Sequence, residues 1–192
     1  DHLILLFCGS VYPAYIAIGS YGGLFDCPFL SEDYYGSQKS VGKMNEKSMQ
    51  RTALELYDWD CVNYPNKKIY VMGHSYGTGM AAFLASKREC AALVLISAYR
   101  DLSDLYNKMI PIFWGPAKIF ISNNIQIERY AKSVTCKTYI IGSSGDKTLD
   151  VKLQNKVKAF FTDFSLEIYN DIGHDEYLKN PQVIYQITDV MK

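Results

Sequence analysis

The segment Gly-His-Ser-Tyr-Gly at positions 73–77 constrains the fold of this chain more than any other feature of the sequence. It follows an apolar run at 68–72 that is typical of a buried strand, and it opens a small-residue segment, 76–88, that is typical of a closely packed helix. A G-x-S-x-G pentad in this position predicts a sharp strand-to-helix turn that lifts the serine hydroxyl over the sheet edge. Glycine two positions either side of the serine leaves room for such a turn. We therefore predict Ser75 as a nucleophile.

Apolar runs alternate with segments of helical period, which predicts an α/β fold with a mostly parallel sheet and helices on both faces. Several runs are continuous in Ile, Leu, Val and Tyr, as expected for strands buried on both sides. The predicted strands are 2–7, 29–34, 68–72, 92–97, 137–141 and 166–170. The predicted helices are 46–60, 76–88, 149–161 and 181–191, the first capped by Asn45 and the last beginning with Pro181.

A single domain over residues 1–192 fits this organisation, because 192 residues suit one domain and the sequence contains no repeat, linker or low-complexity tract. Residues 101–135 form the least regular stretch, with two prolines and a glycine among large apolar residues. We expect this stretch to make a short excursion over one edge of the sheet, without a large lid.

A nucleophilic serine needs a neighbouring base, and the chain contains three histidines that could act as one. His74 lies inside the pentad, where the backbone turns its side chain away from the Ser75 hydroxyl. His2 begins a strand and so lies at the opposite end of the sheet. His174 follows the last predicted strand, at the same edge as the pentad, and we predict it as the base.

The base in turn needs a carboxylate that fixes its tautomer. Asp146 comes shortly after the strand 137–141 and gives the chain order serine, aspartate, histidine that is usual when a pentad of this kind is present. Asp101, which follows the preceding strand, is the second candidate. Asp150 lies close beyond Asp146, and Asp175 is poorly placed because it is adjacent to His174.

Acyl transfer develops negative charge on the carbonyl oxygen, and backbone N–H donors stabilise that charge. The first donor is expected to be the amide of Tyr76, directly after the nucleophile. The second is expected in the turn after the first strand, where Gly9 permits the required backbone geometry and Ser10 presents its amide.

Composition excludes several other classes of function. Twenty basic and twenty acidic residues give a formal net charge of zero, so no overall field attracts nucleic acid. Five scattered cysteines without a CxxC pair predict neither a metal site nor a disulfide framework, and they favour a reducing, cytoplasmic location. No nucleotide-binding glycine motif occurs, and we expect no cofactor.

No apolar run is long enough to cross a bilayer, so the sequence predicts no integral membrane segment. It leaves open peripheral contact with a membrane, the oligomeric state, and a targeting segment upstream of Asp1.

The chain resembles the compact serine hydrolases of the α/β-hydrolase superfamily. The resemblance is to serine aminopeptidase-like and monoacylglycerol lipase-like proteins, and most of all to the α/β-hydrolase-domain proteins that include protein depalmitoylases. The segment Asp-Tyr-Tyr-Gly at 33–36 with Ser-Val-Gly-Lys at 40–43 is similar to the family's D-Y-R-G-x-G-x-S-x-G-K turn. The strand and pentad at 68–77, the acid-bearing segment 138–150 and the pair Gly173-His174 match as well.

The sequence departs from this family in three places. Cys8 stands where the family has a histidine before the oxyanion glycine, and the segment between Gly142 and Asp146 has one residue more than usual. The family's first strands are absent, which fits either a truncated chain or a minimal sheet.

The resemblance implies hydrolysis of an ester, thioester or amide through an acyl-enzyme on Ser75. Of these, we favour a carboxylic ester or thioester in a small-molecule or acylated substrate, with a lipid-derived acyl group as one option. Five aromatic residues are available to line an acyl pocket: Tyr12, Tyr76, Tyr99, Phe113 and Trp114. Each of them fits a core position equally well. The alternatives are a peptidase of the serine aminopeptidase type and a non-catalytic binding protein with a hydrolase fold.

Overall fold

The structure, a computed structural model, describes residues 1–9, 13–36, 40–109 and 124–192. Six strands in these ranges form one sheet in the order β2-β1-β3-β4-β5-β6, and every neighbouring pair is parallel. Their bounds are β1 His2–Phe7, β2 Phe29–Ser31, β3 Lys68–His74, β4 Ala92–Ile96, β5 Thr138–Ser143 and β6 Phe164–Tyr169.

Helices connect consecutive strands and cover the sheet. Their bounds are α1 Ala14–Tyr21, α2 Glu46–Asn63, α3 Thr78–Ala85, α4 Leu102–Met109, α5 Ile127–Ala131, α6 Val151–Val157 and α7 Pro181–Val190. Short 3-10 turns lie at Ser75–Gly77, Lys158–Phe160 and Tyr177–Lys179.

The hydrophobic core lies on both faces of the sheet because successive side chains of a strand point to opposite sides. In β1, Leu3 and Leu5 belong to the core cluster that includes residues of α2, α3 and α6, whereas Ile4 and Leu6 belong to the cluster on the other face, which includes residues of α1 and α7. The fold class predicted from the sequence, a parallel sheet with helices on both faces, is therefore confirmed.

The strand order makes the carboxyl ends of β1 and β3 the topological switch point of the sheet. From β1 the chain moves to β2 on one side and then crosses to β3 on the other, so the connections leave these two neighbouring strands in opposite directions. Open α/β sheets bind ligands at the carboxyl ends of strands that flank such a switch point. Gly9 follows β1 and Ser75 follows β3, which brings both residues to this switch point.

Several element boundaries differ from the sequence prediction. The strand predicted for 29–34 ends at Ser31, because the chain then turns so that the Asp33 carboxylate accepts the Ala14 amide at 2.8 Å. The helix predicted for 76–88 is a 3-10 turn followed by α3, which ends at Ala85. Helix α1 was not predicted, and α4 and α5 lie in the stretch expected to be irregular.

Candidate active site

Ser75 lies on a strained turn between β3 and α3. Its backbone has φ 52°, in the left-handed region that residues other than glycine rarely adopt. A Cβ atom on Gly77 would lie 2.0 Å from the Phe7 carbonyl oxygen, and one on Gly73 would lie 2.7 Å from the Cα of Thr78. The Thr78 hydroxyl donates to the Ser75 carbonyl at 2.6 Å. The turn therefore depends on two approaches that glycine alone permits.

Three side chains that are distant in sequence form one hydrogen-bonded chain at the carboxyl edge of the sheet. Ser75 Oγ lies 2.8 Å from His174 Nε2, and His174 Nδ1 lies 2.9 Å from Asp146 Oδ2. Because an ionised carboxylate only accepts, Nδ1 carries the hydrogen and Nε2 is left to accept the Ser75 hydroxyl. This arrangement has the geometry of a Ser-His-Asp triad.

Asp146 is 2% exposed and is held by its own loop as well as by the histidine. Its Oδ1 atom accepts the amides of Thr148 and Leu149 at 2.8 and 2.9 Å. Burial alone raises the pKa of the Asp146 carboxyl, but hydrogen bonds from His174, Ser97 and the Leu149 amide outweigh burial, and the pKa falls to about 2. The carboxylate is therefore ionised at neutral pH.

Known proteins similar in sequence are lipases and α/β-hydrolase-domain proteins. No protein-family model matches the chain. The lysophosphatidylserine lipase ABHD12 of Bos taurus is 26% identical over 179 residues, which cover 79% of this chain and 45% of the relative. The α/β-hydrolase domain-containing protein aho-3 of Caenorhabditis elegans is 30% identical over 128 residues, or 65% of this chain and 36% of the relative. The chain thus spans less than half the length of these relatives.

The solved structures supply the fold. The Pyrococcus furiosus esterase Pf2001 aligns with a TM-score of 0.75 and 19% identity, over 100% of this chain and 80% of that one. The chain therefore has the α/β-hydrolase fold. The resemblance drawn from the pentad, the turn at 33–43 and the late glycine–histidine pair is confirmed at that level.

Only part of the predicted oxyanion region of this α/β-hydrolase fold lies in the described residues. A Cβ atom on Gly9 would lie 3.7 Å from the Cβ of Ser75, so the turn after β1 reaches the nucleophile. Tyr76 is in the first turn after Ser75, where N–H groups have no partner within the helix. Ser10, the other predicted donor, lies outside the described residues.

The competing acids have other partners or positions. Asp101 accepts both the amide and the hydroxyl of Ser103 at the start of α4. Asp150 caps α6 by accepting the Leu153 amide at 3.0 Å. Asp175 is exposed. Of the four carboxylates considered from the sequence, Asp146 is the one hydrogen-bonded to His174.

His74 lies beside the triad in a different role from the base. Its Nε2 atom lies 2.9 Å from the His174 carbonyl oxygen, and since a carbonyl only accepts, Nε2 carries a hydrogen. Burial and the neighbouring His174 lower the pKa of His74 to about 4, so the ring is neutral at neutral pH. His2 packs edge-on against Tyr70 at the start of β1, at the opposite end of the sheet.

Tyr99 is fully buried, which places it in the core. Its hydroxyl donates to the Tyr76 carbonyl at 3.2 Å, and its ring fills the space above Gly79. The Tyr76 ring is also buried, edge-on to Tyr34 and with its hydroxyl 3.5 Å from the Met49 sulfur. Tyr12, Phe113 and Trp114, the other predicted pocket residues, lie outside the described residues.

Three residues that support the site were not identified from the sequence. The Ser97 hydroxyl donates to Asp146 Oδ2 at 2.5 Å, and the Tyr177 hydroxyl donates to the same atom at 3.1 Å. Gln154, fully buried on α6, bonds both backbone groups of Ala98 at 2.9 and 3.0 Å. The position of Ser97 at the carboxyl end of β4 was the one signal that could have pointed to it.

Two further properties concern metal ions and membranes. In the described ranges, no group of three or more His, Cys, Asp or Glu side chains is arranged to hold a metal ion. None of the helices in those ranges combines the length and apolar character needed to cross a bilayer.

Proposed function

We propose that this chain is a serine hydrolase that cleaves carboxylic esters through an acyl-enzyme on Ser75, with His174 as base and Asp146 as orienting acid. The observation that carries this proposal is the continuous pair of hydrogen bonds, 2.8 Å from Ser75 to His174 and 2.9 Å from His174 to Asp146. A serine hydroxyl becomes an effective nucleophile when such a base accepts its proton.

In the acylation half of the reaction, Ser75 Oγ attacks the ester carbonyl carbon while its proton passes to His174 Nε2. The ionised Asp146 stabilises the imidazolium that forms. His174 then returns the proton to the departing alkoxide, and the carbon–oxygen bond to the alcohol breaks. The acyl group remains on Ser75.

In the deacylation half, water attacks the acyl carbon and gives its proton to His174 Nε2. The bond to Ser75 Oγ then breaks, and Oγ takes the proton back from His174. The products are a carboxylic acid and an alcohol, and Ser75 is restored. We assign the oxyanion in both halves to the Tyr76 amide and to the turn that follows Gly9, with Ser10 as the second donor.

Fluorophosphonate labelling tests this proposal directly, because the reagent modifies an activated serine. We expect the wild-type protein to be labelled and Ser75→Ala to be unlabelled, with ester hydrolysis reduced at least about a thousandfold. Ser86→Ala is a matched control, since Ser86 lies at the end of α3 and its hydroxyl bonds only the local Phe83 carbonyl among the contacts described. Folded wild-type protein that is neither labelled nor active would refute the proposal.

The substrate class that we propose is an acyl ester of lipid origin. The sequence relatives named lysophosphatidylserine lipase support this choice. So does helix α1, which begins five residues beyond Gly9 and contains no charged residue. Its exposed face carries apolar side chains, including Tyr15 at 58% and Ile18 at 41% exposure. Exposed apolar side chains that are neighbours on one helix can contribute to the kind of surface that contacts lipid or a partner.

A series of substrates tests whether the protein prefers lipid-derived acyl esters to short, water-soluble esters and to thioesters. We expect hydrolysis of p-nitrophenyl esters and of lysophospholipids. A thioester substrate in the same series tests the hypothesis, drawn from the sequence, that the protein also cleaves thioesters. Ile18→Gln should raise KM for micellar lysophospholipid several-fold while the rate with a short, water-soluble ester is unchanged. Val62→Gln serves as the control, because Val62 is also an exposed aliphatic residue but lies on α2 instead of α1. Equal effects of both variants would argue against a role for α1.

We propose the cytoplasm as the location of this domain. All five cysteines are unpaired, and Cys8 and Cys90 are buried without a disulfide partner. Thiol alkylation of protein isolated from cells tests this point, because five reactive thiols after unfolding are expected for a reducing compartment.

A further inference from the structure

Three hydrogen-bond donors surround one oxygen of the candidate acid, Asp146 Oδ2. It lies 2.5 Å from Ser97 Oγ, 2.9 Å from His174 Nδ1 and 3.1 Å from the Tyr177 hydroxyl. Ser97 is fully buried and Tyr177 is 1% exposed, so neither hydroxyl exchanges these bonds for water. Among the contacts described, the histidine is thus one of three donors to the oxygen that orients it.

Ser97 reaches this atom through an unusual backbone conformation. Its φ is 52°, in the left-handed region, which costs a residue with a side chain energy that glycine avoids. The conformation is held on both sides: the Ser97 amide donates to the Ile141 carbonyl at 2.9 Å, and Gln154 bonds both backbone groups of Ala98. Strain of this kind persists where surrounding contacts fix it, and it concentrates at functional sites.

The orientation of the Ser97 hydroxyl follows from its partners. Because the ionised carboxylate cannot donate, the Ser97 hydrogen must point to Asp146. A lone pair of Ser97 Oγ then faces His174 Nδ1, which lies 3.1 Å away. The Nδ1 hydrogen therefore has two acceptors, Asp146 and Ser97, and both hold the proton on the nitrogen remote from Ser75.

We propose that Ser97 and Tyr177 are positioning residues that act through Asp146: they hold its Oδ2 atom against His174 and keep the buried carboxylate charged. The proposal rests on the proposed serine hydrolase activity for its kinetic consequences, but its electrostatic consequence exists without any substrate. A buried carboxylate that loses donors becomes easier to protonate and freer to rotate.

Three variants remove these donors with little change in shape. Ser97→Gly removes the hydroxyl and also relieves the left-handed backbone, so loss of folding is not its expected result. Tyr177→Phe removes one oxygen, and the double variant removes both donors. Ser97→Cys restores a weak donor at the same position. Tyr70→Phe is the matched control, because its buried hydroxyl bonds the Met191 carbonyl in the same core cluster, away from Asp146.

The kinetic readout is expected to separate positioning from substrate binding. Ser97→Gly should lower kcat about ten- to a hundredfold with KM nearly unchanged, Tyr177→Phe should lower it less, and Ser97→Cys should recover part of the loss. Tyr70→Phe should leave kcat unchanged. A loss confined to KM, or equal losses in Tyr177→Phe and Tyr70→Phe, would overturn the proposal.

A second readout needs no activity. Carbon-13 NMR titration of the Asp146 carboxyl should show its midpoint moving to higher pH in Ser97→Gly and Tyr177→Phe, furthest in the double variant, and not in Tyr70→Phe. Unchanged titration in the double variant would overturn the positioning role even if kcat fell. If the wild type proved inactive but the titration moved as expected, the hydrolase proposal would fail and the positioning of Asp146 would stand.

Discussion

The hydroxyl of Ser143 accepts the backbone amide of Ile172 at 2.9 Å, and this bond joins the two loops that carry the acid and the base of the candidate triad. The same oxygen accepts the Gly145 amide at 3.1 Å. Gly145 allows the close approach, since a Cβ there would lie 2.7 Å from the Asp171 carbonyl carbon. The separation of Asp146 and His174 is therefore set by a contact two residues before His174.

Ser143→Ala tests this bridge. Because Ser143 is fully buried, its removal leaves two amides without their acceptor, and we expect a loss of about 1–3 kcal/mol in the free energy of unfolding. Ester hydrolysis should fall with it, as the loops separate. Urea unfolding and steady-state kinetics measure both effects. Ser144→Ala is the control, because among the described residues its exposed hydroxyl accepts only the Asp171 amide, at a long 3.4 Å. Equal losses in the two variants would contradict the bridge.

Substitution of Gly77 and of Gly19 by alanine compares the effect of an added methyl group on the free energy of unfolding at a crowded and at an open position. Gly77→Ala would place a carbon 2.0 Å from the Phe7 carbonyl oxygen, so we expect a loss above about 3 kcal/mol or failure to fold. Gly19 lies exposed within α1, and in the described ranges a Cβ atom there would meet nothing within 4 Å apart from its chain neighbours and the backbone of its own helix. Gly19→Ala should therefore stabilise by about 0.5–1 kcal/mol. Thermal unfolding distinguishes the signs, and destabilisation by both would show that α1 is not an ordinary exposed helix.

The sequence predicted the meeting of Ser75, His174 and Asp146 because each residue follows a strand. In a parallel sheet the carboxyl ends of all strands lie at one edge, so a strand-by-strand interpretation already brings the three to the same place. This interpretation does not depend on the exact ends of the strands. The prediction therefore held although β2 ends earlier than expected and β3 extends to His74.

The supporting residues escaped prediction because their roles depend on backbone geometry. The hydrogen bond from Ser97 to Asp146 requires a left-handed backbone conformation at Ser97, directly after β4. No neighbouring residue in the sequence predicts this conformation. Tyr177 reaches Asp146 from a 3-10 turn, across 31 residues of sequence. Helix α1 was missed because its sequence is apolar almost throughout, so its helical period gives no contrast between a buried and an exposed face.

Asp146→Asn separates the charge of the acid from its shape. The amide occupies the same space but can donate to His174 Nδ1, which moves the histidine proton to Nε2 and removes the acceptor for Ser75. We expect kcat to fall about a thousandfold or more, with folding retained at neutral pH. Kinetics alongside circular dichroism measure this, and a variant with near-wild-type kcat would show that another group orients His174.

Asp60 supplies a prediction about stability that is independent of the active site. It is fully buried on α2, neither of its carboxyl oxygens has a hydrogen-bond partner in the described ranges, and burial raises its pKa to about 7. An unfolded aspartate titrates near pH ~3.9, so between about pH 4 and pH 7 the folded state binds a proton that the unfolded state has lost. The stability associated with the neutral carboxyl is present below pH ~4 and is lost as the pH rises through about 7.

Asp60→Leu should remove this pH dependence, because an apolar side chain of similar size replaces a carboxyl that must either stay protonated or be buried with a charge. We expect the variant to exceed the wild type in stability by about 1–3 kcal/mol at pH 8 and by much less at pH 4. Urea unfolding across that range measures the difference, with Asp26→Asn at an exposed position as the control. An advantage of Asp60→Leu that is the same at both pH values would mean that the Asp60 carboxyl does not change its protonation on folding.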